Sequence, residues 1–169
     1  MCAQPSQQTP SFLPKLADFL ATGFYSGRIP GPGGTWGTIA ALLLSWIAFR
    51  IAPALSAPLP VLLTALVCTV LGILLVEIVL RAGLYGENKD PRQIVIDEFA
   101  GFFVSIISAQ GQLREMVLCF ILFRLFDITK PYPCRRLEKL HGGFGVVLDD
   151  IVAGFYALFF SELLKPLLF

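Results

Sequence analysis

Two stretches of this chain carry no charged residue, 29–49 and 51–76, parted by Arg50 and turned by Pro53, Pro58 and Pro60. Each is long enough for one helix of the ~20 residues that cross the hydrocarbon core of a bilayer. One soluble core in a chain of 169 residues cannot hide both runs and still present a polar exterior. Composition agrees: 56% of residues are hydrophobic, mean hydropathy is +0.74, and 15% are charged, where about 25% is usual for soluble domains. The expectation is an all-α, compact multi-helix bundle embedded in a membrane. A net charge of +1 lacks the basic excess a general nucleic-acid binder needs, so no nucleic-acid partner is expected.

Residues 1–14 read as a flexible tail without the basic and apolar regions of a cleaved signal. Residues 15–169 read as a single helical domain with a short N-terminal helix and about five long ones. After the short amphipathic stretch PKLADFLATGF and the loop YSGRIPGPGG come the two uncharged runs. A third long helix is expected from 91 to about 110, with Asp90 as N-cap, Pro91 at its first position and Gln93 three residues after the cap. LREMVLCFILFRLFDI makes a fourth, stopped by KPYP, and 146–169 a fifth after the HGGFG loop. Cys2, Cys68, Cys119 and Cys134 form no C-x-x-C pair and read as structural or incidental.

Charge-free runs in the last three helices are shorter than a crossing, which suits a greasy helical bundle as well as a membrane one. Loop charges favour the membrane. With five crossings, Lys15, Arg28, Arg81, Lys89, Arg92, Lys130, Arg135, Arg136 and Lys139 fall on one side and Arg50, Arg114 and Lys165 on the other. Positive residues accumulate in the cytoplasm, so the N-terminus is expected inside.

The acids gather at that same face. Asp97 and Glu98 fall near the start of the third long helix, Asp127 at the end of the fourth, and Asp149 and Asp150 at the start of the fifth. Carboxylates packed together at a bilayer edge repel one another unless a cation sits among them. Oxygen ligands without a Cys or His cluster suit Mg²⁺, which bridges readily to phosphate. These five acids are the candidate metal-binding and catalytic set. An ion pair with Arg124 or Lys130 accounts equally well for Asp127, and acids in a first helical turn are favourable without any function. Asp97, Gly101, Ser105 and Ser108 make a stripe of polar and small residues, with Phe99, Phe102 and Phe103 directed elsewhere.

GPGGTWGT offers backbone N–H groups, a helix start and two hydroxyls, a phosphate cradle of Gly34, Thr35, Gly37 and Thr38. A helix-entry turn capped by Thr35 is the alternative. A single His141 excludes two-histidine phosphatase chemistry, and no cysteine has an Arg at the C-x5-R spacing. Acids lining an ion path, as in a small cation-binding or transport bundle, would be spread through membrane depth. Here they cluster at one end.

ATGFYSGRIPGPGGTWGT, IVIDEFAGF, FRLFDITKPYP and LHGGFGVVLDDIVAG resemble, in order and spacing, the phosphatidylglycerophosphatase A family. The resemblance implies an all-helical, Mg²⁺-dependent membrane phosphatase, and with the loop charges the expectation is a bacterial inner-membrane protein with its active site toward the cytoplasm. Its lipid substrate would be phosphatidylglycerophosphate, cleaved to phosphatidylglycerol and phosphate, with membrane lipid around it and no obligatory protein partner. Carried over by position, the functional residues are Asp97, Glu98, Arg124, Asp127, Lys130, Asp149 and Asp150. Under that reading Asp97, Asp127 and one of Asp149 or Asp150 hold the metal, and Glu98 or the remaining Asp handles the water. Arg124 and Lys130 meet the phosphate. Gly33 and Gly34 stand before Thr35 where the family more often reads Pro-Gly-Thr, which should loosen that loop.

Overall fold

The computed structural model describes residues 11–86, 88 and 91–168. Among these there are seven α-helices and no strand: α1 (Phe12–Ala21), α2 (Gly33–Ile51), α3 (Pro58–Arg81), α4 (Ile96–Ser105), α5 (Leu113–Thr129), α6 (Cys134–Leu137) and α7 (Gly143–Leu168). Proline and glycine set several boundaries. Pro58 opens α3, where a missing N–H costs nothing. Gly111, at φ 74, turns the chain into α5, and Pro131 follows its end. The tail expected over 1–14 falls mostly outside the described residues, and its last part, from Phe12, opens α1.

Among the described residues three helices, against the five crossings expected, are long and apolar enough to cross a membrane: α2, α3 and α7, of 19, 24 and 26 residues. Their outer faces bear exposed Leu43, Leu44 and Ile47 on α2 and Leu62, Leu66, Val70 and Leu74 on α3. So large an apolar surface is a surface for lipid. At 10 residues, α4 is ~15 Å long, half of a hydrocarbon core. It runs in from the end where α2 begins and returns through the 106–112 turn and α5.

The expected start of α4 is displaced by tertiary contacts. Asp90 lies outside the described residues, and the helix begins at Ile96. Pro91 to Ile94 close a turn instead, Ile94 N donating to Pro91 O at 2.8 Å, and Val95 N donates to Ala21 O at 2.9 Å. This segment is pressed against glycines. A Cβ on Gly27 would stand 2.2 Å from Gln93 O, one on Gly33 2.1 Å from Arg92 O, and one on Gly37 2.5 Å from Val95 Cβ. Gly33 therefore fastens the loop rather than loosening it. At the other end α4 stops at Ser105, so Ser108 lies beyond it and donates to Glu162.

Within the bundle α4 is wedged among α2, α3, α5 and α7. Phe99 and Phe102 join Phe49, Val61, Met116 and Phe123 in the main core, and Ala100 packs with Val76, Val79 and Val147 in a second. The crossing of α4 with α7 is close. A methyl on Gly154 would lie 2.3 Å from Gly101 O, and one on Gly101 2.5 Å from Asp150 O. Bare backbone at these two positions carries Asp150 to the face of α4 that bears Asp97.

Candidate active site

A cavity of about 310 Å³ opens at the end of the bundle where α2, α4 and α7 begin and α5 finishes. Gly31 to Gly34 enter it from the start of α2, and Arg92 and Ile94 from the segment before α4. Asp97 and Glu98 come from the first turn of α4, Arg124 and Asp127 from the last turns of α5, Lys130 from its C-cap, and Asp149 and Asp150 from α7.

Carboxylate oxygens of Asp97, Glu98 and Asp150 lie within 4.8 Å of one another. These residues are 8%, 8% and 3% exposed, and Glu98 Oε2 and Asp150 Oδ2 are buried without a hydrogen-bond partner. Buried carboxylate oxygens left without partners in such a cluster cost energy unless something positive satisfies them. A hard divalent cation fits that donor set. Burial raises the Glu98 carboxyl to about 8, with Asp150 and Asp127 adding to the rise against a hydrogen bond with Asp97 and the charge of Arg124.

The other two acids are paired with cations. Arg124 Nη1 is 2.7 Å from Asp127 Oδ2 and 3.9 Å from Glu98 Oε1, and its Nε is buried with no hydrogen-bond partner. Lys130 Nζ donates to Asp149 Oδ2 at 2.8 Å and lies 3.1 Å from Glu138 Oε1. Burial works to lower the Lys130 ammonium, but Asp149 and Glu138 outweigh it and raise it above the ordinary lysine value. Lys130 adopts φ 45, a left-handed conformation that disfavours any residue with a Cβ. The site retains that strain where a glycine would end the helix at less cost.

The cavity thus brings together Gly34, Asp97, Glu98, Arg124, Asp127, Lys130, Asp149 and Asp150. Thr35, Gly37 and Thr38 do not line it. The N-cap of α2 is Pro32 rather than Thr35, Gly37 packs on Val95, and the Thr38 hydroxyl donates to Gly34 O at 2.8 Å. Gly34 is the member of the loop that touches the charged groups: a methyl there would stand 2.1 Å from Glu98 Oε1 and 2.9 Å from Arg124 Nη1. Arg92 also lines the cavity, although in the sequence it stands out only as a loop charge. Its signal was the departure of 91–95 from helix, which only the fold reveals.

The described residues make a helical, membrane-associated bundle with lipid-facing flanks, and a buried cluster of acids and cations at one end is its candidate site. The family model described as Phosphatidylglycerophosphatase A matches residues 19–165, and the chain belongs to this family. It is similar to the phosphatidylglycerophosphatase A of Haemophilus influenzae, 38% identical over 141 residues, 82% of each chain. That of Escherichia coli is 34% identical over 144 residues, 80% of this chain and 75% of the relative. A Bacteroides thetaiotaomicron protein named "Putative phosphatidylinositol-3-phosphatase" is 37% identical over 158 residues, 88% of this chain and 91% of the relative. No solved structure matches. The protein is a phosphatase, a phosphoric monoester hydrolase.

Proposed function

We propose that the protein hydrolyses the terminal phosphomonoester of phosphatidylglycerophosphate to phosphatidylglycerol and inorganic phosphate, with Mg²⁺ held by Asp97, Glu98 and Asp150. The observation that carries the metal reading is the convergence of those carboxylate oxygens within 4.8 Å. When bound, Mg²⁺ supplies Lewis-acid polarisation of a phosphoryl oxygen and a more acidic water.

The remaining steps belong to the chain's own groups. Thr35 N and Trp36 N donate to Pro32 O, whereas Gly33 and Gly34 open α2 on the cavity wall without a side-chain cap. The backbone N–H groups of these two glycines and the positive helix end therefore receive phosphate oxygens. Arg124, fixed by Asp127, turns its guanidinium to the charge that builds on the transferring phosphoryl. Asp127 orients the attacking water and takes its proton. Lys130 holds Asp149 at 2.8 Å and meets the leaving oxygen. Asp149, Asp127 and Lys130 thus act around the metal rather than on it.

Basic residues flank this end: Arg28, Arg81, Arg135, Arg136 and Lys139, against Arg50, Arg114 and Lys165 in the far-end turns of α2, α5 and α7. This bias supports a cavity facing the cytoplasm of a bacterial inner membrane. The substrate's tails would then lie along the lipid-facing flanks while its headgroup enters between α2 and α7.

The test is phosphate release by the full chain in detergent, with phosphatidylglycerophosphate and phosphatidylinositol 3-phosphate offered separately. Mg²⁺-dependent turnover of the first by at least tenfold over the second is expected. Preference for the inositol lipid, the activity named for the Bacteroides relative, overturns the substrate assignment. Undiminished turnover after exhaustive chelation overturns the metal.

A further inference from the structure

A second cavity, of about 560 Å³, lies at the same end of the bundle across the 91–95 segment. Gln93 lines it, whereas its neighbours Arg92 and Ile94 line the carboxylate cavity. That segment is packed too tightly on Gly27, Gly33 and Gly37 for one small headgroup to pass through it. The remaining walls are Lys15 and Asp18 of α1, Tyr25 and Arg28 before α2, and Leu84 and Tyr85 after α3.

Its chemistry is that of an anion site. Asp18 is 6% exposed and both its oxygens are engaged, Arg28 Nη2 donating to Oδ2 and the Tyr85 hydroxyl to Oδ1 at 2.5 Å. The acid therefore anchors a guanidinium rather than offering a charge to the cavity. Arg28 is also stacked 4.8 Å over the Tyr25 ring centroid, yet its side chain stays 49% exposed. A guanidinium fixed on several sides with N–H groups to spare is preorganised for phosphate oxygens. Lys15 brings a second cation and Gln93 an amide donor. Burial raises the Tyr85 hydroxyl to about 12, and its hydrogen bond to Asp18 adds to the rise, so it remains a donor.

The surroundings say where such an anion comes from. At 10 residues α1 is too short to cross a bilayer. Phe12, Leu13 and Leu16 on α1, and Phe24 just after it, are 80%, 60%, 40% and 56% exposed. Apolar side chains around a lysine on a short amphipathic helix lie at the depth of lipid headgroups. We propose that this cavity binds the headgroup phosphate of an anionic glycerophospholipid other than the molecule being hydrolysed, Arg28 and Lys15 meeting the phosphate oxygens and α1 lying beside the acyl chains.

The experiment is lipid retention by the detergent-solubilised full chain, read by native mass spectrometry with phosphatidylserine as an anionic probe that bears no phosphomonoester. It needs no turnover, so its outcome is separate from that of the substrate assignment. Phosphatidylserine is expected to be retained over phosphatidylcholine, Lys15→Gln to weaken retention about fivefold, the loss expected for one surface cation, and Arg124→Gln to leave it unchanged. Arg28→Lys should abolish retention. Because Arg28 also clamps α1, Lys15→Gln, whose side chain takes no part in the clamp, decides the matter if Arg28→Lys does not fold. Equal retention by Lys15→Gln, or of phosphatidylcholine, overturns the proposal. So does loss in Arg124→Gln, which puts the lipid in the carboxylate cavity, or displacement by equimolar inorganic phosphate, which makes it a free-anion site.

Discussion

The Glu77 carboxylate of α3 accepts a hydrogen bond at 3.2 Å from the backbone N–H of Gly143, the first residue of α7, while its other oxygen accepts one from Arg81 Nε at 2.7 Å. One helix thus supplies the negative charge for the N-terminus of another. Asp149 and Asp150 follow about two turns later, so this contact sets the register in which they reach the cavity. Glu77→Ala is expected to cost ~1 kcal/mol, the usual worth of a cap, with a fall of a few degrees in melting temperature and several-fold in turnover. Glu77→Gln, which keeps an acceptor, should recover most of both. Melting curves and phosphate release on the two variants check this, and equal losses would show that charge alone matters.

Gly34 tests how closely α2 approaches the acids. A methyl group there would stand 2.1 Å from Glu98 Oε1, so Gly34→Ala must displace either Glu98 or the start of α2. A shift of that size in a reacting centre costs on the order of 100-fold in rate. Thr35→Ala, one residue along but off the cavity wall, should stay within about twofold of the parent. Equal activity of both variants would remove the α2 entry from the site.

Lys130 separates strain from charge. Its left-handed φ of 45 should make Lys130→Gly more stable than Lys130→Ala by ~1 kcal/mol, since only glycine adopts that conformation freely. Both variants remove the cation 2.8 Å from Asp149, so both should lose turnover alike, by tenfold or more. Activity that follows stability rather than charge, seen by comparing the two preparations, would assign Lys130 to the fold alone.

Sidedness is open to thiol labelling. Cys134 is a poor reporter at 1% exposure, whereas Lys139 is exposed beyond α6, at the cavity's end of the bundle. With the cavity facing the cytoplasm, Lys139→Cys should react with an impermeant maleimide in everted vesicles and not in intact cells. Labelling in intact cells would reverse the orientation.

The gathering of the acids was legible in the sequence because each stands at the end of an apolar helix, and helix ends of like parity share a face. Their division of labour was not. Whether Asp127 meets Arg124 or the carboxylate cluster depends on where the last turns of α5 lie against α4, and Lys130 reaches Asp149 only because its backbone turns left-handed. Pro91 and Gln93 gave a sound local signal for a helix start, yet the bond from Val95 to Ala21 and the contacts with Gly27, Gly33 and Gly37 outweigh it. Those partners lie some 60 to 75 residues away in the chain, beyond any local pattern. The same limit hid the crossing number. A 10-residue helix and a returning α5 look like two crossings when only hydrophobic runs are read.

The two kinds of acid in the cavity should respond to neutralisation with opposite signs. Asp127 sits 2.7 Å from Arg124, the two side chains 15% and 14% exposed. Asp127→Asn leaves a largely buried guanidinium without its nearest anion, and breaking such a pair is destabilising by about 3 kcal/mol when burial is complete and less here. Asp150 instead shares its surroundings with Asp97 and Glu98 within 4.8 Å. Asp150→Asn removes one of several buried acids that desolvation and mutual repulsion keep from ionising together, so the metal-free protein should melt at the same temperature or higher, the trade expected of a site kept for chemistry. Turnover should fall by orders of magnitude in both. Mg²⁺ gives the second readout, because a ligand that binds the folded state raises its melting temperature. That rise should vanish in Asp150→Asn and persist in Asp127→Asn. An Asp127→Asn protein that is no less stable without metal, yet no longer stabilised by Mg²⁺, would place Asp127 among the metal ligands and Arg124 outside the pair.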